Sequence, residues 1–515
     1  MGSKTKKNQS KNSTSSKSGV FETHTNQNYY YDNPVDKPSL ALIKLAGSSL
    51  YLSDISETHK EISLISFNKK EFSEKEKRER LILAVEKKNS KDGEQFYIKT
   101  GLYAGRITYS GVTFDIQPDC SDALYRHMLK YANHIYIDET DGWGKKNEKN
   151  SFPLIEYLFL SSLQRVSVLG LPQEYSKQKY HDLKVHGGLD IQNFIKKDIP
   201  FKGKISSQKN ERHYVQSIVD VLYAALKSCK GEIERGFKRL SLIKNELSTS
   251  YSGKFPSQQT IQNAQNHKSL YNPMYVDFKR TLTFAEIVIR HNTVLPDKSK
   301  EAKDKASGYL LDIASLWEVY LETVLHDALK EEWNISSQEE LNLYDGCFFA
   351  RSNYPDFVLQ KKDDPSKVII LDAKFKKMGS IKVDEKKRIK NADVDRNDLH
   401  QIHSYAGYYR EKGCKVVLCG LIYPLSLEKL TQNNAKLYGL DGSKTLFVID
   451  GIYKGMKSEQ KNPAKMDATD ESTENENSEI SEELDKEYSY VKAEKAFINR
   501  LQEYLNKGVD ILKEK

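Results

Sequence analysis

Two short apolar runs constrain this chain more than any other stretch: Tyr354-Pro355-Asp356-Phe357-Val358-Leu359 and Val368-Ile369-Ile370-Leu371-Asp372-Ala373-Lys374-Phe375. Both are rich in apolar and β-branched residues and bounded by polar segments, the pattern of buried strands. Gln360 to Lys367 between them is polar and carries Asp363-Asp364-Pro365-Ser366, so the chain reverses there. A turn centred on Asp364 sets Phe357 opposite Leu371 and Leu359 opposite Ile369. Asp356 then falls opposite Asp372. Lys374 lies two residues beyond Asp372 and shares its face, because side chains alternate along a strand.

Two carboxylates and an ammonium thus meet on an otherwise apolar hairpin. Burying such charge costs several kcal/mol per ion unless something compensates. A divalent cation compensates well, and Mg2+ takes one or two carboxylates plus waters and substrate phosphate; Mn2+ would serve in its place. Lys374 could then hold an attacking water or neutralise charge building on a phosphate. An isolated acid–lysine pair reads more simply as a structural ion pair. Two acids in register, with the helices on either side, shift the balance to a cation site.

Upstream, Leu311, Ala314, Leu321 and Leu325 fall at helical spacing in a helix expected over about 308–333, and Glu318 falls on the same stripe. A carboxylate on a core-facing stripe needs a partner. Glu318 becomes a third acidic candidate, a further ligand or a water-mediated contact. Downstream, a helix over about 395–411 puts Asp398, Gln401 and Tyr405 on one face. Gln401 and Tyr405 are expected to orient a nucleic-acid strand, since both can hydrogen-bond phosphate and tyrosine can stack on a base. His400 and His403 have no third ligand at zinc spacing. The basic run from Lys376 and Lys377 through Lys382, Lys386, Lys387, Arg388 and Lys390 flanks this face and reads equally as a path for a phosphate backbone or as a solvated surface loop.

The rest of the chain reads as a multidomain α+β protein. Residues 1–28 are rich in Lys, Ser, Thr and Asn and are expected to be a disordered tail. Residues 29–150 form a β-rich domain, with short runs such as Leu42–Leu45, Ile62–Ile65 and Leu81–Val85 and a hairpin turning at Ser110-Gly111. Residues 151–304 read as helical, with Val215, Ile218, Val219, Leu222 and Leu226 as one apolar stripe. Residues 305–460 carry the order α-β-β-α-β of a mixed sheet flanked by helices. An acidic disordered linker follows over 461–487, then a C-terminal helix in 488–515. Gly442-Ser443-Lys444-Thr445 lacks the glycine before Lys of a phosphate loop, so this chain is not expected to hydrolyse ATP or GTP itself. The five cysteines are scattered without metal spacing and read as free thiols of a cytoplasmic protein. No run of about 18 apolar residues predicts a membrane span.

The ordered set Glu318, Pro355-Asp356, Asp372-Ala373-Lys374 and Gln401-Ile402-His403-Ser404-Tyr405 resembles the PD-(D/E)XK nuclease pattern with its Q-x-x-x-Y helix. Leu316-Trp317-Glu318-Val319-Tyr320, Ile370 to Phe375 and Asp398 to Ala406 are similar to the McrC family, the nuclease subunit of McrBC-type restriction systems that act on 5-methylcytosine. Tyr103 to Ile107, Phe114 to Pro118, Gly170 to Tyr175 and Val185 to Asp190 carry the resemblance upstream; Asp119 departs from the family's usual Pro-Lys. The resemblance spans about 100–455. It implies a C-terminal α/β nuclease core, with Asp356, Asp372 and Glu318 on Mg2+, Lys374 at the attacking water, and Gln401 and Tyr405 in support. It also implies double-stranded DNA as substrate and a hetero-oligomer with a McrB-like AAA+ GTPase bound through the N-terminal half, 29–150 included. Two rivals stay open: a restriction endonuclease that reads a sequence without a GTPase, and a non-catalytic DNA-binding scaffold.

Overall fold

The computed structural model describes residues 20–25, 40–57, 59, 61–67, 72–90, 93–133, 154–229, 240–293, 306–342, 352–376, 382–383, 389–391, 394–425, 434–439, 442–453 and 477–513. The chain divides into two compact units, Met1–His134 with Glu301–Lys515, and Ile135–Lys300.

The first unit opens on a five-stranded sheet in the order Val20–His24, Val112–Gln117, Tyr103–Tyr109, Ala306–Asp312, Glu61–Ile65. The expected hairpin is there: Tyr109 pairs with Val112, and Ser110 and Gly111 turn with φ of 47° and 79°. Three expectations are corrected. Val20–His24, placed in the disordered tail, is a strand running parallel to Val112–Gln117; residues 1–19 lie outside the described residues. Leu42–Lys44 of the run Leu42–Leu45, read as β, belong to the helix Leu40–Lys44, which buries Leu42 in the core beneath the sheet, and Leu45 turns out of it. Residues 306–312, read as the start of a helix and of the C-terminal domain, are a strand of this N-terminal sheet. Two glycines permit the last pairing. A Cβ on Gly308 would sit 2.2 Å from the Arg106 carbonyl, and one on Gly105 2.3 Å from that of Tyr309, so the strands cross where only glycine fits.

Helix Ile313–Leu329 starts directly after this strand. Asp312 caps it, its carboxylate accepting from the backbone N–H groups of Ala314 and Ser315 at 3.0 and 3.2 Å. The helix then packs on the strands Lys367–Ala373 and Trp333–Ser337.

Those strands belong to a six-stranded mixed sheet in the order Trp333–Ser337, Phe357–Lys361, Lys367–Ala373, Lys415–Leu425, Lys444–Tyr453, Asn434–Tyr438. The first three run antiparallel, and Lys415–Leu425 lies parallel to both of its neighbours. The central hairpin has the register read from its turn: Phe357 faces Leu371 and Leu359 faces Ile369. Val358, Val368 and Ile370 point to one face and pack under Ile402, Tyr405, Ala406 and Tyr409 of helix Arg396–Glu411. Gly442-Ser443-Lys444-Thr445 is the hairpin turn into strand Lys444–Tyr453, with no helix after it to cradle phosphate.

The C-terminal helix runs Asn477–Lys513, so 477–487, assigned to a disordered linker, is helical; 454–476 lie outside the described residues. It packs on strands Lys415–Leu425 and Lys444–Tyr453. Arg500 anchors it by a two-pronged ion pair with buried Asp450, Nε to Oδ2 at 2.8 Å and Nη2 to Oδ1 at 2.9 Å. Tyr504 adds a hydroxyl to the same carboxylate at 3.1 Å.

The second unit holds helices Leu154–Val166, Gln216–Ser228 and Phe278–Thr293, with Ile218, Val219, Leu222 and Leu226 buried as their periodicity predicts. Helices dominate it, as expected of 151–304, and the short strand expected within Val185–Ile191 is there at Gly188–Leu189, but a longer pair of strands was not foreseen. Gln173–Asp182 and Ile205–Tyr214 form a long antiparallel ladder, with Gly188–Leu189 at its edge. The polar residues of these strands hide the alternation that marks a half-buried strand.

Candidate active site

The hairpin register and strand parity put Asp356 and Asp372 on the face covered by helix Arg396–Glu411. Asp356 stands one residue before its strand begins, and its Oδ2 accepts from the backbone N–H of Ala373 at 2.8 Å. Asp372 is the penultimate residue of its strand and is buried. Asp356 stands opposite Asp372 in the register that pairs Phe357 with Leu371. Burial, and then the Asp356 charge, push the Asp372 carboxyl up to about 7 against the opposing pull of Lys374.

The Lys374 ammonium forms an ion pair with Asp372 Oδ2, without the alignment of a hydrogen bond. Its Nζ donates to Gln401 Oε1 at 3.0 Å and stands 3.9 Å from Asp398. Burial works against its charge, but Asp372, Asp356 and Asp398 outweigh burial and hold it well above the usual lysine range. It is therefore an obligate cation, a donor and charge stabiliser rather than a base.

From Lys374 the hydrogen bonds run head to tail. Gln401 Nε2 donates to the Tyr405 hydroxyl at 2.6 Å, and that hydroxyl donates to the Tyr354 carbonyl at 3.0 Å. Tyr405 is fully buried. Its hydroxyl is pushed up, by burial first and then by Asp372 and Asp356, and stays neutral. Both of its hydrogen bonds are made inside the protein, to Gln401 and to the Tyr354 carbonyl, and through Gln401 it braces Lys374.

Glu318 is half-buried on its helix, and Gln338 Nε2 donates to its Oε2 at 3.1 Å. The Gln338 backbone N–H donates to the Asp356 carbonyl at 3.2 Å, so one residue links Glu318 to the hairpin. Among the described residues no three His, Cys, Asp or Glu side chains converge to cage a metal. The arrangement is a pair of acids, with the third set back.

Sequence reasoning placed Asp398 on the face of Gln401 and Tyr405 and Lys376 in the basic run beside it, but gave neither a role in the site. Asp398 is buried and accepts from Lys376 at 2.7 Å and from the Tyr423 hydroxyl at 3.1 Å. Lys376 also reaches Asp395, the N-cap of the helix, at 3.1 Å. The signals were present: Asp398 precedes Gln401 by three residues, and Lys376 follows Lys374 by two. Lys377, Lys386, Lys387 and Arg388 of the basic run lie outside the described residues.

The donor set suits a hard divalent cation. Asp372 Oδ2 is a buried carboxylate oxygen that meets the Lys374 ammonium without an aligned hydrogen bond, and its neighbour is a second carboxylate. Residues 98–424, more than half of the chain, match the family described as McrBC 5-methylcytosine restriction system component. The chain belongs to this family. No curated protein matches the chain. Among solved structures, a Thermococcus gammatolerans half-complex of McrB AAA+ hexamers with bound McrC, from a tetradecameric assembly, matches with a TM-score of 0.51 at 15% identity. That match covers 84% of this chain and 94% of the other. A chain of the Thermococcus gammatolerans McrBC complex matches at 18% identity and a TM-score of 0.35, over 60% of this chain and 88% of that one. The McrC resemblance read from the motifs agrees with the family, and the first of these structures supports the mixed α/β, multidomain fold.

Proposed function

We propose that this McrBC-family chain is the Mg2+-dependent endodeoxyribonuclease subunit of its restriction system, with a PD-(D/E)XK-type core, acting on double-stranded DNA together with an AAA+ GTPase. The observation that carries the reading is the pairing of Asp356 with buried Asp372, with the Lys374 ammonium beside them. Asp356 and Asp372 would hold the cation, with Glu318 reaching it through water. A bound Mg2+ would supply Lewis-acid activation of water and charge neutralisation at phosphorus.

The protein's own groups do the rest. Lys374, held by Gln401 and Tyr405, keeps a permanent positive charge where a phosphate oxygen gains negative charge. Its Nζ can also donate to the attacking water and fix its direction. Water adds to phosphorus and releases a proton to solvent, the P–O ester bond breaks, and the leaving oxygen takes a proton from solvent. Lys376, placed by Asp395 and Asp398, extends the positive charge along the site's edge.

A partner surface is supported by the second unit. Leu183, Ile191, Ile195 and Phe201 are 72, 66, 60 and 64% exposed within one short stretch, which is costly for a lone soluble surface. The related McrC is bound to McrB AAA+ hexamers in the solved half-complex. We infer that this apolar stretch, rather than 29–150 alone, meets the GTPase.

The test is cleavage of methylated plasmid DNA by the purified chain with its AAA+ partner, GTP and Mg2+. Strand breaks from the wild type and none from Asp356→Asn are expected. Cutting that needs neither GTP nor partner favours the stand-alone endonuclease. An effect on DNA that persists in EDTA favours the scaffold.

A further inference from the structure

Gln338 is one of two described non-glycine residues with left-handed backbone, at φ 53°; the other, Ser110, sits in a hairpin turn where that conformation is ordinary. Gln338 is in no such turn. It follows Ser337, which pairs with Phe357, so its register partner is Asp356, and its N–H bonds the Asp356 carbonyl at 3.2 Å. Left-handed backbone at a long side chain is unfavourable and persists where surrounding contacts impose it, often at functional sites.

The contacts on either side show what imposes it. Ser337 Oγ donates to Glu322 at 2.6 Å on the helix that carries Glu318. Glu339 Oε2 accepts from the Tyr409 hydroxyl at 2.9 Å on the helix that carries Gln401. Between these anchors, Gln338 keeps its backbone bond to Asp356 and turns its side chain onto Glu318 at 3.1 Å.

We propose that Gln338 is a positioning residue that holds the Glu318 carboxylate toward the Asp356–Asp372 pair. This rests on the nuclease reading above. Gln338 ties the helix carboxylate to the hairpin that carries the two acids, its amide on Glu318 and its N–H on the Asp356 carbonyl. A lysine or arginine would do so but would cancel the negative charge that draws a divalent cation. A neutral amide donor holds the carboxylate and leaves its charge intact.

The discriminating variant is Gln338→Gly in the full-length chain. Glycine adopts the left-handed backbone freely and keeps the N–H to Asp356, so only the amide is lost. The variant should melt no lower than wild type in EDTA. Its Mn2+ affinity, measured by calorimetry without DNA, should fall about tenfold, the usual effect of removing a group that orients a ligand. Its kcat for cleavage should fall with KM for DNA unchanged, and raised Mn2+ should restore part of it. In a Glu318→Gln background the same glycine should change nothing.

Wild-type Mn2+ binding and cleavage by Gln338→Gly would overturn the proposal. So would a fall in melting temperature that accompanies the loss of binding, since that marks a structural role. If Asp372→Asn still cuts, the nuclease reading itself fails. If Asp372→Asn is dead and Gln338→Gly is normal, only this inference fails.

Discussion

Replacing Asp372 by Asn should make the metal-free protein more stable at pH 8 while abolishing cleavage. Folding raises the Asp372 carboxyl from 3.8 to about 7, mainly through burial. At about 1.4 kcal/mol per decade of pH, that rise corresponds to about 4 kcal/mol for holding the ionised group in the fold. The attraction of Lys374 is already included, because it acts on the same carboxyl. The sign follows from proton counting. Between about pH 4 and 7 the folded carboxyl keeps a proton that the unfolded chain has released, so stability falls as pH rises through that window. Below it the penalty is absent; above it the penalty is complete. Asparagine does not titrate, and Lys374 keeps Gln401 and Asp398 as neighbours. The stability gap between variant and wild type should therefore open from near zero at pH 4 to at most about 4 kcal/mol at pH 8. Scanning calorimetry in EDTA at stepped pH reads it as a melting temperature several degrees higher for the variant. Mg2+ should raise the wild type and leave the variant unmoved. A variant that melts below wild type at pH 8, or an offset that does not change with pH, refutes the reasoning.

Lys374→Met removes the cation lodged against Asp372, so Mn2+ should bind about tenfold tighter at pH 8.5 by calorimetry while cleavage is lost; weaker binding would contradict the placement of the ammonium. Tyr405→Phe loses two hydrogen bonds behind Gln401 and should lower kcat about tenfold without changing KM for DNA, as steady-state kinetics would read. Arg500→Met leaves buried Asp450 without its charge partner and should cost about 3–5 kcal/mol, seen as a lower urea midpoint. Ile191→Asp with Ile195→Asp should leave circular dichroism unchanged but abolish co-elution with the AAA+ partner on size exclusion.

The central hairpin was legible because its information is local. Strand parity and a turn centred on Asp364 determine which residues face each other, and Phe357 does face Leu371. Helix Arg396–Glu411 was legible for the same reason, from the spacing that puts Asp398, Gln401 and Tyr405 on one face. Strand Ala306–Asp312 was not, because its partners lie some two hundred residues earlier and Leu310 and Leu311 run straight into a helical stripe. The glycines that let it cross Tyr103–Tyr109 carry no pattern by themselves. The helix spacing put Tyr405 beside Gln401, but residue type does not reveal that its hydroxyl is turned inward to the Tyr354 carbonyl. Gln338 could not have been found at all: nothing in Ser336-Ser337-Gln338-Glu339 signals a left-handed backbone.

Anomalous scattering from crystals of the full chain soaked in Mn2+ tests the central assignment most directly. The account predicts a peak between the carboxylates of Asp356 and Asp372, with the Lys374 ammonium drawn toward Gln401 and Asp398. A peak elsewhere, or none at saturating Mn2+, would contradict it.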